Sequence, residues 1–154
     1  MKQEDKELLS KDLCARLPYG VKIETEYFTK ATLVDIRKNI SYGACKDLLV
    51  TYDISGEETP YQSEERSSTI SKIKPYLFPL SSMTEEQKEE LKHEISKQTD
   101  ILIERMKNND CGIDCGKYHF HSLLELEWCL KNHFDIYGLI PKGLANDATG
   151  LNIY

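Results

Sequence analysis

The chain has 154 residues, 40% hydrophobic and 30% charged, enough for one ordinary globular unit and too polar, at a mean hydropathy of −0.52, for a polytopic membrane protein. No apolar run approaches the roughly 18 residues of a membrane span, and Met1-Lys-Gln-Glu-Asp-Lys-Glu7 carries both signs of charge where a secretory leader needs an apolar core, so the expectation is no membrane contact and a cytoplasmic location. The formal charge of −6 divides as 12 Lys+Arg against 13 Asp+Glu over residues 1–80 and 8 against 13 over 81–154, which argues against extended nucleic acid as a partner, since phosphate backbones need clustered Lys and Arg, and leaves room for one local basic pocket.

In chain order, Leu9, Leu13 and Leu17 at i, i+4, i+8, with Asp5, Lys6 and Asp12 elsewhere on the wheel, predict an amphipathic helix over residues 4–17. Pro18-Tyr-Gly20 stops it, with Gly20 free to take a positive φ. Val21, Ile23 and Thr25 then alternate with Lys22, Glu24 and Glu26 as in a half-buried strand. Residues 31–40 and 47–53 predict two further strands turning at Gly43. The polar stretch 54–68 reads as an exposed loop, and 69–73 as a short last strand.

The chain is organised around Lys74-Pro-Tyr-Leu-Phe-Pro-Leu-Ser-Ser-Met-Thr-Glu-Glu-Gln87, where β-patterned runs give way to helical ones. Pro75 and Pro79 keep Tyr76, Leu77 and Phe78 out of the α region, so this triplet is expected to be an extended or turned apolar plug between a strand lobe, residues 1–80, and a helical lobe, 81–154. Thr84 and Gln87 form a capping box for a second helix, with Leu91, Ile95, Leu102 and Met106 as its stripe and Glu85–Lys88, Glu89–Lys92, Glu94–Lys97 and Glu104–Lys107 as surface pairs. Ser122 and Glu125 repeat the box before a third helix, whose apolar residues at 123, 124, 126, 128, 129 and 130 predict the most buried of the three. Residues 134–154, broken by Gly138, Pro141, Gly143 and Gly150, form an irregular tail. The fold expected is α+β in a single domain, 1–154: an N-terminal helix, a small antiparallel β-barrel resembling the Src-homology type, two C-terminal helices and the tail.

Five cysteines at 14, 45, 111, 115 and 129 make a poor disulfide framework and read as reduced thiols. Cys14, Cys45 and Cys129 lie in apolar-patterned segments, as small buried hydrophobes do. Cys111, Cys115, His119 and His121 carry the residue types zinc prefers, and in an extended segment the two histidines would face one way. Their spacing departs from the usual knuckle, so the expectation is no bound cofactor, with zinc the exception to test. His133, at the end of the third helix, suits the dipole as a partial cation. No phosphate-binding glycine loop or hydrolase motif occurs, which argues against an enzyme. Arg16, Tyr19, Lys22 and Arg37, with Lys38 nearby, would form a compact cationic corner with one aromatic face, suited to a nucleotide.

Leu13-Cys-Ala-Arg-Leu-Pro-Tyr-Gly-Val-Lys22, the stretch Lys74–Gln87, and Asn132-His-Phe-Asp-Ile-Tyr-Gly-Leu-Ile-Pro-Lys-Gly-Leu-Ala145 resemble an uncharacterised group of small proteins of gut Bacteroidales genomes, their phages and other mobile elements. The three stretches cover about a third of the chain, and the group brings no catalytic residue with it. The resemblance implies a mobile-element setting, and with no enzyme motif in the chain the expectation is a non-enzymatic binding protein of a phage or mobile element in a host bacterial cytoplasm, acting on a host protein, another macromolecule or a small anionic ligand. The alternatives are a sponge for a nucleotide signal of antiphage defence and a zinc-binding protein.

Overall fold

A computed structural model describes residues 1–41, 44–54, 65–109 and 117–154, with 38–41, 44–47, 65, 102–109 and 117–121 described by backbone alone. Helix α1 spans Gln3–Arg16 and runs into a 3-10 turn over Leu17–Tyr19, closed by Gly20 at φ 63°. Strands follow at Lys22–Glu24 (β1), Ala31–Ser41 (β2), Ala44–Asp53 (β3), Glu65–Thr69 (β4) and Lys74–Leu77 (β5). Then come α2 (Glu85–Asn109), α3 (Lys117–Lys131) and a two-residue strand, β6 (Asn146–Asp147).

The strands form one six-stranded sheet in the order β4-β3-β2-β1-β5-β6, antiparallel except for the parallel β5–β6 pair. This is an open sheet, and the expected barrel does not close: β4 and β6 are its opposite edges, far apart in strand order, rather than hydrogen-bonded neighbours. The α+β class and the N-terminal helix stand as expected.

Pairing explains a second difference, at the predicted last strand. Glu65–Thr69, all but its last residue expected in the exposed loop, pairs with β3 as a sheet strand, while Ile70–Lys72 form a 3-10 turn; residues 55–64 of that loop lie outside the described residues. Ile70 and Ile73, three residues apart, are both fully buried, which a turn of three residues achieves and a period-two strand does not.

One face of the sheet is apolar. Ile23, Ala31, Leu33, Val50 and Tyr52 pack with Leu9 and Leu13 of α1, with Ile70, Ile73 and Leu77, and with Leu139, Leu144 and Ala145 from the tail. A bulge between Leu33 and Asp35 resets the phase of β2, bringing Ile36 back to the core side opposite Val50. A second cluster holds Trp128, Cys129 and Phe134, with Phe78, Met83, Leu91 and Ile136 against it.

The plug segment is extended, as its prolines require. Tyr76 and Leu77 are buried, and Phe78 continues the strand by a bridge to Phe134: its N–H donates to His133 O at 2.9 Å and its carbonyl accepts from Asp135 N at 2.8 Å. The Phe78 ring meets those of Phe134 and Tyr154 at 6.1 and 5.9 Å. Because that ring is only half-buried, Phe78→Ala is expected to cost about 2–3 kcal/mol, below the ~3–5 of a fully buried phenylalanine. Sheet and helices should melt in one calorimetric transition; two would show that the segment merely links them.

The capping box of α2 forms as predicted, Gln87 N to Thr84 Oγ1 at 3.2 Å and Thr84 N to Gln87 Oε1 at 2.9 Å. The Glu85–Lys88 and Glu89–Lys92 pairs close at 2.6 and 2.7 Å on an exposed surface, whereas Glu94 accepts from Gln98 instead. The second box does not form. Helix α3 begins at Lys117, so Ser122 is interior to it. Among the described side chains of α3 the expected burial is confined to its end: Trp128, Cys129 and Leu130 are buried, while Leu123 and Leu126 are 62% and 36% exposed. Among the described residues no helix is long and apolar enough to cross a membrane.

Candidate functional site

The cationic corner read from the sequence is taken apart by the fold. Arg16 lies at zero exposure in the core, on a stripe of α1 made by Leu9, Asp12, Leu13 and Arg16 at i, i+3, i+4, i+7. Its Nε and Nη2 donate to the two Asp12 carboxylate oxygens at 2.8 and 2.9 Å. Nη1 reaches Leu130 O at 3.2 Å and Nη2 reaches Phe134 O at 2.7 Å. Arg16 therefore has no face toward a ligand, and Asp12, expected on the outside of the wheel, is buried beside it. Burial pushes the Asp12 carboxyl up from its ordinary value, and the guanidinium pulls it back.

What Arg16 binds is the end of α3. His133 takes the left-handed conformation at φ 61°, with His133 N on Leu130 O at 3.2 Å and Phe134 N on Cys129 O at 2.9 Å, the two bonds of a Schellman motif. The guanidinium thus sits at the negative end of the α3 dipole. His133 is consequently not the cation expected there. Its Nδ1 is buried without a partner, and burial, seconded by the Arg16 charge, pushes its pKa down to about 4. Its ring stacks on Tyr154 at 3.9 Å. The Tyr154 hydroxyl donates to Tyr76 O at 2.7 Å and accepts from Lys22 N at 3.2 Å, so the tail is tied across β1 and β5. Asp135 closes the next turn, accepting from Leu139 N and Ile140 N at 2.8 and 2.9 Å.

The other three residues of the corner do not meet. Tyr19 lies by the Glu127 carboxylate, and burial followed by that carboxylate's charge raises its pKa. Lys22 donates to Thr32 at 2.7 Å on the solvent face of the sheet. Arg37 reaches Thr51 at 3.2 Å, with Asp35 3.6 Å away. It stands five residues along β2 from Thr32, a distance on the order of 15 Å. The Lys38 side chain lies outside the described residues.

Cys111 and Cys115 also lie outside the described residues, as do the side chains of His119 and His121. The backbone of the two histidines is helical, so they sit about 200° apart around α3 rather than on one face as an extended segment would place them. Among the described residues no group of three metal-ligating side chains occurs. Cys14 is exposed, contrary to its apolar context, whereas Cys129 is buried and its thiol is pushed up by burial, an inert setting for a nucleophile.

Among the described residues, a concavity lined from two helices is one that residue-type reasoning missed. A groove of about 330 Å³ runs between α2 and α3. Leu91 and Ile95 line it from α2, and Leu124 and Trp128 from α3, each pair one helical turn apart. Glu90, Glu94 and Gln98 edge it on one side, and Glu127, Lys131 and Asn132 on the other. None of the described residues of α2 is buried; Leu91, Ile95 and Leu124 are half-exposed. The Gln98 amide holds the Glu94 carboxyl below its ordinary value. The signal available beforehand was the all-round apolar wheel of α3, which a single partner helix does not cover.

No family model, no curated protein and no solved structure matches the chain.

Proposed function

We propose that the chain is a non-enzymatic binding protein of a phage or other mobile element, acting on a host protein through the groove between α2 and α3. The observation that carries this reading is that both helices turn apolar residues toward the groove and leave Leu91, Ile95 and Leu124 half-exposed above a buried Trp128, a surface whose burial a partner would complete. The tie to mobile elements rests on the resemblance of the three sequence stretches. A nucleotide sponge finds less support, because the residue meant to clamp the anion, Arg16, is engaged inside the core.

Ile95→Asp puts a charge on the groove floor without touching the sheet. Mixed with a lysate of a gut Bacteroidales host, the parent protein is expected to retain one host protein in stoichiometric amount, and Ile95→Asp to lose it at an unchanged melting temperature. Retention unaffected by the variant, or heat on titration with cyclic or linear nucleotides and no protein partner, overturns the reading.

A further inference from the structure

The groove has a charge as well as a shape. Among the described residues its rim carries three carboxylates, Glu90 and Glu94 one turn apart on α2 and Glu127 on α3, against one cation, Lys131. Its walls, residues 90–98 and 124–132, are each about 12 Å long, or roughly two helical turns. Two facing i, i+4 apolar rows over that length match the side-chain spacing of a third helix laid along them, whose anchors recur at i, i+3, i+4 and i+7.

We infer that the occupant of this groove is a positively charged amphipathic helix of the partner protein, its apolar stripe on Leu91, Ile95, Leu124 and Trp128 and its Lys or Arg residues flanking that stripe against Glu90, Glu94 and Glu127. This rests on the reading of the groove as a docking surface and specifies the partner's chemistry. Charge favours it over a second copy of the chain, because a two-fold self-contact would set the same acidic rim against itself.

Trp128 is the only tryptophan in the sequence, so its emission reports directly on the groove. The probe is a synthetic Lys/Leu/Ala helix with leucines at i, i+3, i+4 and i+7, beside a twin in which every Lys is Glu. The Lys peptide is expected to shift Trp128 emission saturably in the micromolar range, more weakly as salt rises. Glu90→Lys/Glu94→Lys, two changes of partly or fully exposed side chains, should weaken it about tenfold at an unchanged melting temperature. No saturable shift, equal or better binding of the Glu twin, or full affinity in the charge-reversed variant overturns the inference. A free protein that sediments as a dimer, and as a monomer once Ile95→Asp is introduced, overturns it in favour of a second copy. If any of these results appears while Ile95→Asp still abolishes capture of a host protein, the binding-protein reading survives and only the partner's charge or helical form is refuted. If capture is also insensitive to Ile95→Asp, both fall.

Discussion

Arg16→Ala is expected to destabilise the protein by about 3–5 kcal/mol, the range for removing one partner of a buried ion pair. The substitution leaves the Asp12 carboxylate in the core without its counter-ion and removes the donors held by the carbonyls of Leu130 and Phe134. Replacing both partners, Asp12→Leu with Arg16→Met, removes the unpaired charge and should recover most of the loss. Recovery should not be complete, because the carbonyls of Leu130 and Phe134 each lose a guanidinium donor and keep a single backbone one, His133 N at 3.2 Å and Ile136 N at 3.1 Å. Denaturant melts of parent, single and double variants give this as a coupling energy. A single variant within about 0.5 kcal/mol of the parent would mean that Arg16 is solvated, and would return it to the list of ligand-binding candidates.

The second large effect depends on pH. His133 ionises at about 4 in the folded protein against the ordinary 6.5. Between those values the unfolded chain binds a proton that the folded one does not, so stability rises with pH across the window and is lost as pH falls through it. That depression corresponds to about 3 kcal/mol. His133→Asn keeps a residue that tolerates the left-handed conformation and removes the titrating ring. The parent should therefore lose up to about 3 kcal/mol relative to this variant between neutral pH and pH 4. The raised Asp12 carboxyl works in the opposite direction but is common to both proteins. Parallel profiles would show that the imidazole is protonated in the fold and reaches solvent.

Much of the fold is written locally. The Leu9 and Leu13 spacing, the Pro18–Gly20 stop, the period of two in β1, the Thr84–Gln87 box and the extended Pro75–Pro79 segment each rest on contacts within a few residues. Each appears in the structure as expected. The sequence by itself therefore determined these elements, the α+β class and the seam where strands give way to helices.

Tertiary structure alone decided what the polar residues do. Nothing local distinguishes an Arg16 that faces solvent from one that caps a helix more than a hundred residues downstream. The only sequence trace is that Asp12 and Arg16 share the wheel stripe of Leu9 and Leu13, and a stripe containing charges is buried only when a distant acceptor such as Phe134 O is present. Sheet closure was likewise undetermined, since barrel and open sheet need the same alternation and differ only in whether the two edge strands meet. The groove was half legible: an apolar wheel on α3 announces that something covers it, but which positions α2 leaves uncovered depends on how the two helices pack. The Phe78, Phe134 and Trp128 cluster stands at one end of the pair, where the end of α3 is buried, while Leu123 and Leu126 are exposed and Leu124 is half-exposed.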